Sequence, residues 1–328
     1  QRMDKQIFSF PEHVIDNIEQ MNEHIGQRFN YLTSSNTTNN FVVPTLIYPK
    51  KTNNKWIQTE GYFWKALTFI ESSIALKRVD SYVIAKEVGK GLSIFHELVS
   101  DMKVSCLNNT VPNFHSTSYY LELLSNVIKY RQEDILEKRK KESKVSSLIY
   151  QVNENIEHAK ILERTIERYK IPTTPTHGDP KISNFLFDKS KCHVNGIIDL
   201  DTFQPGLKIF DLADCLRSCC NPAGETPESI ERVSFDIELL RGFLEGYYSL
   251  NSKALNSDEI KCLPIAIRVI CLELGVRFLT DYIQGDIYFK TTNTTQNLYR
   301  AEIQFALLRS IIDQSLDIDN LILDSMPY

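Results

Sequence analysis

Residues 176–206 read THGDPKISNFLFDKSKCHVNGIIDLDTFQPG, and this stretch constrains the fold more than any other. Two short apolar runs, NFLF and VNGIIDL, flank a polar turn, the pattern of a β-hairpin. If residues 184–187 pair with 196–199 as antiparallel strands, Asn184 at the start of one lies beside Asp199 at the end of the other. An amide oxygen and a carboxylate then sit side by side, with Asp179 on the loop entering the hairpin. Mg²⁺ takes a few protein oxygens and completes its shell with water and phosphates. A third carboxylate nearby can accept a hydrogen bond from an attacking hydroxyl. Asp and Asn are also common turn formers. The His177-x-Asp179-x-x-x-x-Asn184 spacing, the hairpin and its Ile-Asp end together favour phosphoryl transfer over a plain surface turn.

The rest of the chain supplies two contrasting halves. Pro11 suits the first turn of a helix, and Val14, Ile18, Met21 and Ile25 follow at helical spacing. FVVPTLIYP and WIQTEGYFWKALTFIE read as strands joined by turns. Long helices then dominate, over 80–102, most of 116–170 and 296–316. Val145, Leu148, Val152, Ile156, Ala159, Leu162 and Ile166 make an apolar stripe expected to pack within the molecule. Thr226-Pro227 predicts an N-cap and first-turn proline for a helix starting there. The expected fold class is α+β, with a small mixed lobe over 1–72 and a large, mostly helical lobe over 73–328.

Composition narrows the class of partner. The 328 residues carry a net charge of −5, which gives no electrostatic drive toward nucleic acid or an acidic membrane surface. No apolar run is long enough to span a bilayer. The seven cysteines form no pair of CxxC motifs, so a zinc site is not expected; free thiols in a reducing cytoplasm are. The sequons at Asn36, Asn108 and Asn293 are short enough to arise by chance. Nothing in the sequence fixes the oligomeric state.

At the hairpin the chain resembles the aminoglycoside phosphotransferase and choline kinase superfamily, whose fold is protein-kinase-like and bilobal. The resemblance implies ATP and Mg²⁺ as cofactors. It makes Asp179 the catalytic aspartate and Asn184 and Asp199 the metal ligands. It implies that His177 supports the catalytic backbone, and that Asp211, in FDLADCLRS, is the buried aspartate hydrogen-bonded to the catalytic loop. Asp201 is additional, with a place at the metal, at the acceptor or in a solvated loop all open. No Ala-Pro-Glu activation segment follows Asp199, which argues for a small acceptor.

RFLTDYIQGDIYFK, IIDLDTFQPG and RSCCNPAGE are similar to segments of the N-acetylhexosamine 1-kinases, and the likeness runs over most of the chain. It implies that Arg277, Tyr288 and Phe289 line a sugar site that Asp179 completes; without it, the aromatics read as core and Arg277 as one member of a structural ion pair. Phe289 stands where that subfamily often has tryptophan. In kinase-like folds a basic residue on the third small-lobe strand contacts the phosphates and a helical glutamate steadies it. Arg2 with Glu19 is the expected pair, Lys5 and Glu23 the alternatives. The small lobe is then expected to lack its first two strands and phosphate loop. Phe69 and Glu71, in TFIESS, mark a hinge whose backbone would face adenine. The leading expectation is a sugar 1-kinase. An aminoglycoside or choline-like kinase and a non-catalytic pseudokinase are the alternatives.

Overall fold

The computed structural model describes residues 1–3, 7–32, 41–50, 54–130, 139, 142–190 and 193–325. The small lobe begins with β1 (Arg2–Met3), followed by α1 (Pro11–Leu32), whose Val14, Ile15, Ile18, Met21 and Ile25 are buried at steps of three and four. β2 (Leu46–Ile47), β3 (Ile57–Thr59), β4 (Tyr62–Trp64) and β5 (Ala66–Leu67) follow. Glu60 and Gly61 both take positive φ, 51° and 80°, which makes the tight turn that aligns Thr59 with Tyr62. β1 pairs antiparallel with the other edge of β4, and β2 with β5.

The junction between lobes is a small antiparallel sheet of β6 (Ser73–Ala75), β8 (Phe185–Asp188) and β9 (Val194–Ile197), in the order β6-β8-β9. The segment after the small lobe is thus hydrogen-bonded directly to the predicted hairpin. Val42 also bridges to Gly196 in parallel, and a Cβ on Gly196 would lie 2.5 Å from the Val42 carbonyl oxygen. Only glycine permits that approach. β7 (Thr174–Thr176) pairs with β10 (Gln204–Gly206), closing the loop that carries Asp179 and the turn that carries Asp199 into one ring of backbone.

The larger part is helical: α2 (Tyr82–Val99), α3 (Thr117–Tyr130), α4 (Ser143–Tyr169), α5 (Lys208–Cys219), α6 (Ile237–Tyr248), α7 (Ser257–Gln284), α8 (Gln296–Asp313) and α9 (Ser315–Asp324). α7 is the axis, packed by α3, α4, α5, α8 and α9, and it is buried on most of its circumference. The α4 stripe packs inward, with Val145, Leu148, Val152, Ala159 and Leu162 buried and Ile156 and Ile166 half-buried. The small mixed lobe and larger helical part agree with the α+β, kinase-like expectation.

Two local expectations are corrected. No helix starts at Thr226-Pro227. Residues 226–236 are irregular apart from a 3₁₀ turn, and α6 starts only after Asp236, whose carboxylate accepts from Glu238 N and Leu239 N at 2.8 and 3.1 Å. An N-cap that engages two free amides outcompetes a threonine that engages none. The predicted 296–316 helix breaks at Gln314 into α8 and α9. The six described cysteines are free, and no described helix is long and apolar enough to cross a membrane.

Candidate active site

The hairpin register puts Phe185 opposite Ile197, and Ile198 N donates to Asn184 O at 2.9 Å. The backbone therefore holds Asn184 and the Ile198-Asp199 step against each other, as the sequence predicts. Asn184 Nδ2 donates to the Asp179 carbonyl at 2.8 Å, which turns Oδ1 away as the free side-chain atom. Asp199 has left-handed φ, 68°, an uncommon conformation that re-aims its carboxylate out of the strand direction. Lys181, two residues past Asp179, forms an ion pair with it.

The loop before the hairpin is fastened from below. Asp211, on the first turn of α5 and 1% exposed, accepts from His177 N and Gly178 N, each at 2.7 Å. His96 on α2 lies 3.1 Å from Asp211 Oδ2 and 2.9 Å from the Tyr247 hydroxyl. Burial alone would raise the Asp211 pKa. The His96 hydrogen bond and charge, with His177 and the Gly178 amide, hold it below the usual carboxylate value. His177 accepts from Asp179 N at 3.2 Å through Nδ1, so its Nε2–H donates to Ile198 O at 2.9 Å, tying the Asp179 loop to the Asp199 turn. Gly178 needs its φ of 85°, and a Cβ there would lie 2.7 Å from Thr202 O.

The residues fit a magnesium ion that shares its shell with phosphates. Among the described residues no group of three or more His, Cys, Asp or Glu side chains could hold a metal unaided. Asn184 Oδ1 and the Asp199 carboxylate carry no described hydrogen bond. Burial raises the Asp199 pKa, and the charges of Asp201 and Asp179 add to the rise while Lys181 opposes it. A carboxylate with two like charges beside it and no described hydrogen-bond partner is a site that a divalent cation relieves. Asp201 is no solvated loop residue. It is 6% exposed and ion-paired with Lys65, which lies between β4 and β5 in the small lobe.

Arg277, Tyr288 and Phe289 do converge. The Arg277 guanidinium carbon lies 4.9 Å from the Tyr120 ring centre, 5.5 Å from Phe114, 5.6 Å from Phe289 and 5.8 Å from Tyr288. Among the described residues no carboxylate is within ion-pair distance of it. Arg277, Tyr120, Tyr288 and Phe289 line a cavity of about 320 Å³ with Val111, Pro112, Tyr119, Leu123 and, from the small lobe, Ile7 and Ser9. Asp281 sets the aromatic loop, accepting from Ile287 N, Tyr288 N and Phe289 N at 2.8–2.9 Å and from Asn297 Nδ2 at 2.8 Å. His115 links cavity to catalytic loop. Its Nε2 lies 3.1 Å from Gly178 O and its Nδ1 3.2 Å from Glu273, one helical turn before Arg277. Lys181 was legible at a fixed offset inside the Asp179–Asn184 motif. Lys65, His115, Asp281 and His96 carried no local signal.

The nucleotide expectations fare differently. The Arg2–Glu19 pair does not form. Arg2 lies on the outer face of the sheet, 4.5 Å over the Tyr62 ring, because strand alternation directs Gln1 and Met3 inward instead. Glu19 is taken by Lys55 and by the Tyr48 hydroxyl at 2.8 Å. Glu23 is exposed, and Lys5 lies outside the described residues. The Phe69 side chain is 87% exposed, and Glu71 contributes its carbonyl to Ser73 Oγ at 3.1 Å. Any role of this segment toward adenine is one for its backbone.

Comparison with known proteins places this geometry. The model of the phosphotransferase enzyme family (APH) matches residues 50–250. The chain is similar in fold to an aminoglycoside phosphotransferase from Alicyclobacillus acidocaldarius, with TM-score 0.56 and 16% identity over 94% of this chain and 84% of that one. It is similar to a microcompartment-associated aminopropanol kinase, with TM-score 0.56 and 14% identity over 92% and 83% of the two chains. An ethanolamine kinase from Plasmodium vivax gives TM-score 0.51 and 15% identity over 88% and 71%.

Proposed function

The chain belongs to the phosphotransferase enzyme family, and from that premise we propose that it is an ATP- and Mg²⁺-dependent kinase of a sugar hydroxyl, best suited to the anomeric hydroxyl of an N-acetylhexosamine. The observation that carries the choice of acceptor is Arg277 inside its ring of four aromatic side chains, with no carboxylate partner among the described residues. An aromatic box of this kind could hold a quaternary or primary ammonium. Here a guanidinium already fills it. Asp281, the acid of the cavity, is engaged by four N–H donors. A cationic acceptor would meet a fixed positive charge. A neutral sugar suits the same surroundings, its apolar face against the rings and its hydroxyls against planar Arg donors. Tyr120, pushed by burial to a pKa of about 12, stays a neutral phenol able to donate and accept.

In this reading Asp179 accepts the hydrogen bond of the acceptor hydroxyl and orients it for in-line attack. Asn184 and Asp199 would hold the magnesium, which when bound neutralises charge building on the phosphoryl oxygens. Lys181 sets the orientation of Asp179. Burial would lower the Lys181 pKa, but the charge and hydrogen bond of Asp179, with Asp199 and Asp214, hold it above the ordinary lysine value, so it stays charged. His177 and Asp211 keep the loop rigid, which limits the reorganisation needed at the moment of transfer.

The test is a phosphorylation screen with ATP and Mg²⁺ over N-acetylhexosamines, simple hexoses, choline, ethanolamine and amino cyclitols. The expected product is an acid-labile sugar 1-phosphate. Asp179→Asn should abolish its formation with the thermal midpoint unchanged. Turnover of the amines alone, with every sugar inert, would refute the acceptor assignment while leaving the kinase reading intact.

A further inference from the structure

The cation that the small lobe directs at the metal turn is a lysine that no motif marks. β1 and β4 extend to a backbone pair in which Lys65 N donates to Gln1 O at 3.0 Å and Gln1 N to Lys65 O at 2.8 Å. Strand alternation then sets Gln1, Met3, Phe63 and Lys65 on the inner face, and Arg2, Tyr62 and Trp64 on the outer. The Lys65 side chain is 0% exposed and its ammonium is ion-paired with Asp201, two residues beyond Asp199. Gln1 Nε2 reaches the other Asp201 oxygen at 3.4 Å.

A buried ammonium carries a desolvation penalty that one carboxylate only partly offsets. An apolar side chain would close this gap between lobes without it, so packing alone gives the lysine no advantage. Charge does. Asp179, Asp199 and Asp201 converge here, and the described cations that meet them are Lys181 and Lys65. Lys181 is committed to Asp179 and Arg2 faces away. Phosphates sharing a metal held by Asn184 and Asp199 would lie close to Asp201, the residue that Lys65 meets. An ammonium has three donors, and Asp201 engages one.

We propose that Lys65 is the residue that contacts the phosphates of the bound nucleotide, with Asp201 as its resting partner. This rests on the kinase reading above and gives Lys65 the role expected of Arg2. The test is calorimetric binding of ATP and of adenosine, in Mg²⁺, to the wild type, to Asp201→Asn and to the double variant Lys65→Met/Asp201→Asn. The double variant leaves no orphaned buried charge; Asp201→Asn leaves Lys65 without its carboxylate, so the thermal midpoint of each variant is measured beside its affinity. Asp201→Asn should bind ATP at least as tightly as the wild type. The double variant should lose ATP affinity tenfold or more relative to Asp201→Asn, with adenosine affinity equal in both. Equal ATP affinity in these two variants, or parallel loss of ATP and adenosine, overturns the proposal and makes Lys65 a strut between lobes. A wild type that binds no ATP defeats the kinase reading itself, which separates the two failures.

Discussion

Asp211→Asn tests whether the catalytic loop is held by a buried carboxylate rather than by its own backbone. The Asp211 carboxylate receives His177 N and His96 Nε2 at one oxygen and Gly178 N at the other. An asparagine keeps one oxygen. It will place its amide where it loses least, opposite Gly178 N, so that one donor faces another. Hydrogen bonds to charged groups contribute about 1.5–3 kcal/mol each, and leaving a buried N–H without an acceptor costs about 1–3 kcal/mol. Weakening the two remaining bonds by removing the charge adds to this, so about 2–4 kcal/mol is expected. The unfolding entropy of a chain this long is about 0.7 kcal/mol/K, so the thermal midpoint should fall by about 3–6 °C. The Asp211 pKa is depressed by folding, so its contribution is full above the ordinary carboxylate pKa of 3.8 and disappears as pH falls through the lower folded value. The deficit of the variant should therefore be constant from neutral pH down to about 4.5 and shrink below that. Scanning calorimetry at neutral and acid pH measures both quantities. A midpoint within 1 °C of the wild type, or a deficit unchanged at low pH, would show that Asp211 does not anchor the loop.

Arg277→Met should raise the acceptor KM by tenfold or more with the ATP KM unchanged, as judged by steady-state kinetics with the sugar identified in the screen. Equal effects on both would place Arg277 in general packing. Burial alone would lower the His115 pKa, but the hydrogen bond and charge of Glu273, with Asp214, outweigh it and raise the pKa above 6.5, with Arg277 opposing. A raised folded value stabilises fully below the unfolded pKa and loses that stabilisation as pH rises through the folded one. His115→Gln should therefore lower the thermal midpoint more at about pH 6 than at about pH 9, and a pH-independent difference would remove the charged His115–Glu273 pair. Gly196→Ala must displace either the Val42 carbonyl or the hairpin, because its Cβ would lie 2.5 Å from that oxygen. A loss of about 2 kcal/mol or more in denaturant unfolding is expected, and a silent substitution would mean that the 41–43 segment yields freely.

The large-lobe half of the site was legible because local rules fix it. An eight-residue motif, a polar turn and a strand register suffice to place Asn184 beside Asp199, and each is read from contiguous sequence. The small-lobe half depends on strand parity. Shifting the frame of β1 by one residue exchanges Arg2 for Gln1 on the inner face, and a two-residue strand has too little pattern to decide its parity. Lys65 could have been identified only through its partner 136 residues away. Asp281 has the same difficulty in another form. It lies within RFLTDYIQGDIYFK, but its role as acceptor for three amides of the 287–289 loop requires the left-handed Gly285 and Asp286 that follow it. The Thr226-Pro227 error shows a favourable local signal losing to a better one ten residues on, because Asp236 has two amides within reach.

The connections around His115 bear on how specificity and chemistry are joined. Glu273 and Arg277 are four residues apart on α7, so one face of a single buried helix presents both, with Arg277 toward the aromatic cavity and Glu273 toward His115. His115 in turn reaches the carbonyl of Gly178, the residue that precedes Asp179. Asp211 holds the amide side of the same peptide segment. The loop that carries Asp179 is thus clamped between α5, through Asp211, and α7, through His115, and cannot shift without disturbing one of them. The rigidity needed to orient a hydroxyl against Asp179 is therefore supplied by the helices that shape the cavity. The small lobe is joined to that frame through the Lys65–Asp201 pair.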